Sequence, residues 1–173
     1  SWDHVSNLNN TMTAGAGLLV YVFADNNFDG TGDLPVTLSV SGTENSGDVR
    51  YPASGTIENT RYGFAGNPYH QTIDFDLIYK DKISGTVYVY DNSGSSPNSP
   101  DVNVSGGGIY RAWNGTNGSL TNGLIAPFQG FVVTADGGDG YINIQEADKS
   151  TSAGTFYRTL DGAGDGSMDL QFI

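Results

Sequence analysis

Eight times along this chain an acidic or amide side chain is followed by glycine: Asp-Gly at 29, 136, 139, 161 and 165, and Asn-Gly at 114, 117 and 122. Such pairs enter positive φ at little steric cost, which two-residue hairpin turns demand because their twist must match that of the flanking strands. A chain that reverses this often has room only for short segments between reversals, and antiparallel pairing is their natural use. The intervening sequence agrees. Val36, Leu38 and Val40 alternate with Thr37, Ser39 and Ser41 at the period of a half-buried strand, and residues 17–24 form the continuous apolar run of a strand buried on both faces. Further strands are expected at residues 47–51, 86–90, 108–113, 124–134 (bent at Pro127 and Gly130), 141–144, 155–160 and 168–173. The prediction is an all-β protein, an antiparallel β-sandwich or jelly roll of roughly ten short strands with at most one or two short helices. The one helix candidate is Phe75 to Ile83, with Asp74 placed to cap it.

The middle of the fold is expected in residues 61–76, RYGFAGNPYHQTIDFD. Phe64, Ala65 and Gly66 end a buried run and Asn67-Pro68 breaks it, since proline fixes its own φ and holds the preceding residue extended. Ile73 and Phe75 then alternate with Asp74 and Asp76, giving strand, corner, strand. Gly63 and Gly66 let another backbone approach such a corner closely. A length of 173 residues suits one well-buried domain spanning 1–173 better than two marginal ones.

Charge narrows the function. Seven Lys and Arg stand against 19 acidic residues, a net charge of −12, which disfavours nucleic acid and anionic membrane surfaces as partners. The acidity is loop acidity, with 16 Asp to 3 Glu. There is no cysteine, hence no disulfide or thiolate chemistry. No apolar run reaches the length of a membrane-spanning helix, so no membrane insertion is expected. The chain begins at Ser1, as expected of a mature product or a piece of a longer protein.

The sharpest candidate site is the acidic loop from Asp25 to Asp33. Asp25, Asn27 and Asp29 at alternate positions, Gly30 at the turn, the carbonyl of Thr31 and then Asp33 reproduce the first part of an acidic calcium loop. Val36 stands where an EF-hand has its bidentate Glu, and strands are expected on either side. The alternative is an acidic turn that binds nothing. Asp161, Asp165 and Asp169 lack the alternate spacing, and turns explain their Asp-Gly pairs.

A catalytic inventory is thin. His4 and His70 are the only near-neutral titrating side chains, no nucleophile elbow is visible, and Asp74 and Asp76 are better explained by a cap or a turn than as paired glycosidase carboxylates. The reading is therefore not an enzyme. For binding, Tyr110 and Trp113, with Arg111 and Asn114 beside an Asn-Gly hairpin, could offer a flat face and polar edge to a sugar ring. Strand alternation puts Tyr110 with Ala112 on one face and Arg111 with Trp113 on the other, so one aromatic is expected outside.

Three stretches, GAGLLVYVFADNNFDGTGDLPVTLSVSGT at 15–43, GFAGNPYHQTIDFD at 63–76 and GLIAPFQGFVV at 123–133, together resemble a β module of large secreted, type IX-exported surface proteins of Bacteroidota-type bacteria, hyalin-like or adhesin-like. The resemblance implies a secreted or cell-surface location and a structural or adhesive role without catalysis. The final SMDLQFI looks like the start of a further module. The combined expectation is an extracellular, calcium-stabilised structural or adhesive module. Its partners are neighbouring modules or like subunits reached through edge strands in a surface layer or filament; the alternative is a carbohydrate-binding module with glycans as ligands.

Overall fold

The computed structural model of the chain describes residues 11–20, 28–32, 42–43, 45–91 and 109–157. Among them are nine strands: β1 (Val49–Tyr51), β2 (Tyr62–Gly66), β3 (Ile73–Asp74), β4 (Tyr79–Asp81), β5 (Ile83–Asp91), β6 (Ile109–Trp113), β7 (Leu124–Ile125), β8 (Gly130–Ala135) and β9 (Tyr141–Ile144). All strand pairing is antiparallel. The fold is all-β, as the turn chemistry predicts, and its helical content among the described residues is two single 3-10 turns, Thr121–Gly123 and Glu146–Asp148. The expected strands at 36–41 and 168–173 lie wholly outside the described residues; of those at 17–24 and 155–160 only 17–20 and 155–157 are described, and these belong to no strand.

Three sheets are formed. One has the order β2-β8-β5-β6, the second β1-β9-β4, and a short third pairs β3 with β7. The first two turn their apolar rows towards each other. Ala65, Phe131, Val133, Val87 and Val89 come from the larger sheet and Val49, Ile142 and Ile144 from the smaller; all are buried. Ile73 and Ile125, paired across the third sheet, close the end of the core. Phe75 and Phe131 meet edge to face with centroids 6.4 Å apart, a favoured arrangement for buried rings.

The corner at 67–72 ties these layers together. Asn67 is buried, and its Nδ2 donates to the carbonyls of Gln71 (2.9 Å), Ile125 (3.2 Å) and Ala126 (3.0 Å), while its Oδ1 accepts from the Tyr69 amide. The Tyr69 hydroxyl crosses the core to donate to the carbonyls of Gly47 and Ile144. Burial, reinforced by Glu146, Asp48 and Asp148, pushes this phenol up to about 12. At the outer edge of β2, residues 15–17 run alongside: Gly66 donates to Gly15 O and Gly17 to Phe64 O. A Cβ on Gly66 would stand 3.1 Å from the Ala16 carbonyl oxygen, so a side chain there would push this segment away by a few tenths of an ångström.

Two expectations are corrected. Residues 75–83 are not helical. Asp74 Oδ1 accepts from the amide of Asp76, an Asx turn, Leu77 donates back to Asp74 O, and the chain proceeds into β4 and β5. Lys80 decides this: its Nζ reaches the carbonyls of Phe75 (2.6 Å) and Ile78 (2.8 Å), satisfying groups a helix would have bonded internally. The second correction is at 124–134, which is two strands, β7 and β8. A turn at Pro127 and Phe128 moves the chain from the small third sheet to the large one.

Candidate functional site

The pleat of the smaller sheet produces a second surface. Val49, Tyr51, Ile142, Ile144 and the stem of Lys80 point inwards, so their neighbours point out. Register then fixes who meets whom: Arg50, Asn143 and Tyr79 stand in one row across β1, β9 and β4, and Tyr141 and Asp81 in the next. Directly paired side chains on one face lie about 5 Å apart. The result is a shallow groove of about 430 Å³ lined by Arg50, Tyr79, Tyr141, Asn143 and Gln145.

Local contacts hold these groups in place. Arg50 donates through Nη1 to Pro52 O and through Nη2 to Gly55 O (2.6 Å), which lays its guanidinium over the Tyr141 ring, 4.1 Å from the centroid. Tyr79 and Tyr141 have centroids 6.0 Å apart and planes tilted by 45°. Their hydrogen bond raises the Tyr79 phenol above its ordinary 10.0, with the charges of Tyr141 and Asp81 acting in the same direction, so Tyr79 stays protonated at neutral pH. Gln145 Nε2 donates to Asp48 Oδ2 at 3.0 Å, closing one end. Tyr79 is 51% exposed. Aromatic planes, amides and a fixed guanidinium thus converge on one open face, a combination suited to stacking and hydrogen bonding with a small polar ring.

The sequence-predicted binding residues lie elsewhere, on β6 and the hairpin after it. Tyr110 faces outward, 60% exposed, with the Tyr90 ring 5.3 Å away. Arg111 turns to the other face, where its Nε and Nη2 hold the buried Asp91 carboxylate at 2.8 and 2.7 Å and its Cζ lies 5.7 Å from the Tyr157 ring. Trp113 packs on the core and donates Nε1 to Asp76 Oδ2 at 3.0 Å. Asn114 closes the hairpin, its Oδ1 accepting from the amides of Thr116 and Asn117. Tyr110 is therefore separated from the other three by the sheet or by the turn, and the four do not converge on one surface. In the acidic loop, Asp29 Oδ1 accepts from the Thr31 amide at 2.7 Å, while Asp25, Asn27 and Asp33 lie outside the described residues.

The groove had a sequence signal, the polar series Tyr141, Asn143, Gln145 interleaved with Ile142 and Ile144. That alternation marks an outward row. Its partners Arg50 and Tyr79 are about 90 and 60 positions away, and only the register brings them in. Compared with known proteins, the chain matches no family model, no curated protein and no solved structure.

Proposed function

We propose that this chain is an extracellular, non-catalytic adhesive module that holds carbohydrate in the groove of the three-stranded sheet. The observation that carries the reading is the row Arg50, Asn143, Tyr79 beside Tyr141. The half-exposed Tyr79 ring can present a π-face to the C–H face of a sugar, Tyr141 beneath the Arg50 guanidinium holds that ring in place, and the Asn143 amide can both donate to and accept from the sugar hydroxyls. The groove is open, as binding to one stretch of a longer polymer requires. The resemblance to secreted adhesin-like modules supports the surface location. The described residues contain no helix long and apolar enough to cross a membrane. Calcium belongs to the proposal through the spacing of Asp25, Asn27, Asp29 and Asp33, with the Thr31 carbonyl.

The experiment is titration of isotopically labelled protein with oligosaccharides of defined composition. Binding should move the side-chain amide signals of Asn143 and Gln145, and Tyr79→Ala should weaken it by about tenfold or more, the cost of losing the open aromatic stacking surface. Shifts centred on Tyr90 and Tyr110 would instead place the ligand on the large sheet.

A second reading, assembly with like modules through strand edges, draws on β1 and β4, which are the edges of the smaller sheet among the described residues. Concentration-dependent sedimentation is its direct measurement.

A further inference from the structure

Two carboxylates flank the groove, beside its lining residues Gln145 and Tyr141, and sugar binding alone gives them no role. Asp48 stands at one end, hydrogen-bonded to Gln145, and Asp81 stands directly across from Tyr141 at the other. Asp48 is exposed and Asp81 half-buried, so both carboxylates are open to solvent at the margins of the groove. The groove's cation is Arg50, and it is already engaged. Both its Nη atoms are turned to the carbonyls of Pro52 and Gly55 and its plane lies on Tyr141, so the fork that would grip a carboxylate or sulfate in two places is directed at the protein's own backbone. An anion approaching this face meets Asp48 and Asp81 on a molecule of net charge −12. Hydroxyl groups meet no such opposition: carboxylate oxygens accept from them, and amides and phenols do both.

We propose that the groove discriminates against anionic glycans and that Asp48 and Asp81 are the specificity-determining residues that reject uronate and sulfated sugars. This inference rests on the carbohydrate-binding reading of the same groove. Asp48 does so at the Gln145 end and Asp81 at the tyrosine end, so an anionic sugar is opposed whichever way the chain lies.

The test uses the whole chain and two sets of probes of equal length, neutral hexose oligosaccharides and oligouronates or sulfated oligosaccharides, followed by nuclear magnetic resonance titration. The wild type should bind a neutral probe with shifts at Asn143 and Gln145 and bind the acidic probes at least about tenfold more weakly, a gap that narrows as salt screens the carboxylates. Asp48→Asn with Asp81→Asn should close most of that gap, read as the ratio of acidic to neutral affinity measured on the same variant, since asparagine keeps an acceptor for Gln145 while removing the charge. Melting temperature and amide spectra of the double variant establish that it folds, and each single variant serves in its place if it does not. Acidic probes bound in the groove as tightly as neutral ones by the wild type, or a gap unchanged in the variants, would overturn the selectivity while leaving sugar binding intact. Absence of groove shifts with every probe would overturn both.

Discussion

Individual side chains in this protein act mainly by satisfying backbone groups that the strand-to-strand transitions leave open. Asn67 is the clearest case, since one amide serves three carbonyls and one N–H in the interior. Asn67→Ala strands all four, and denaturant unfolding should show a loss of about 2–4 kcal/mol, the range for breaking a buried polar network. Asp148 shows the opposite balance. It is buried, its carboxylate accepts from the Gln145 amide, and burial raises its pKa above 3.8 against that hydrogen bond and the charge of Lys80. The folded state therefore binds this proton more tightly than the unfolded state. Between 3.8 and the raised folded value the contribution of Asp148 to stability grows as pH falls and is lost as pH rises through that value. Asp148→Asn retains an acceptor and cannot ionise, so its stability relative to the wild type should improve from near pH 4 to near pH 7 in paired urea titrations. A constant difference across that interval would show that Asp148 is not desolvated in solution.

At the scale of elements, the controlling events are the changes of sheet. Residues 74–78 carry the chain from the third sheet to the second through an Asx turn closed over the Lys80 ammonium. Burial lowers the pKa of Lys80 while Asp76, Asp148 and Asp74 raise it, so the lysine acts as a charged plug held by the turn's carbonyls and nearby acids. Asp76 also receives the Trp113 indole, which joins this turn to the end of β6. Gly123 allows the ring to lie there, for a Cβ at that position would come within 2.6 Å of Trp113 Cδ1. Trp113→Phe keeps most of the packing and removes the indole donor. It should cost about 1 kcal/mol by thermal or chemical unfolding, and faster amide exchange should be confined to 74–78 and the 113–123 hairpin. The sugar titration should be unaffected, because this contact lies on the inward side of the large sheet.

For the whole molecule, one apolar cluster contains residues from all three sheets, so the groove rests on the same core that the corner organises. Most pairings that build it are distant in sequence: β1 pairs with β9 and β2 with β8. An ion bound by the acidic loop would act on this whole by mass action. Calcium at about one hundred times its dissociation constant should add about 2.7 kcal/mol and raise the melting temperature of metal-stripped protein. Asp25→Ala with Asp29→Ala should abolish the increment. An unchanged melting temperature in the wild type would remove calcium from the proposed function.

What the sequence determined by itself is the class of fold and the location of its corner. Asp-Gly and Asn-Gly pairs, Asn67-Pro68 and the alternation of Ile142 and Ile144 act over a few residues, and local sterics and pleat periodicity suffice to read them. Tertiary structure alone decided the rest. Residues 75–83 have a helical appearance locally, but pairing with β9 holds Tyr79–Asp81 as a strand, and Lys80 meets the carbonyls of Phe75 and Ile78. Alternation along the strand already separates Tyr110 from Trp113; which of them is outside was decided by the sheet packing, Tyr110 exposed beside Tyr90 and Trp113 set against Asp76 and the core. Arg50, Tyr79 and Tyr141 are far apart in the chain and become one surface because strand register, a long-range property, places them in adjacent rows of the same sheet.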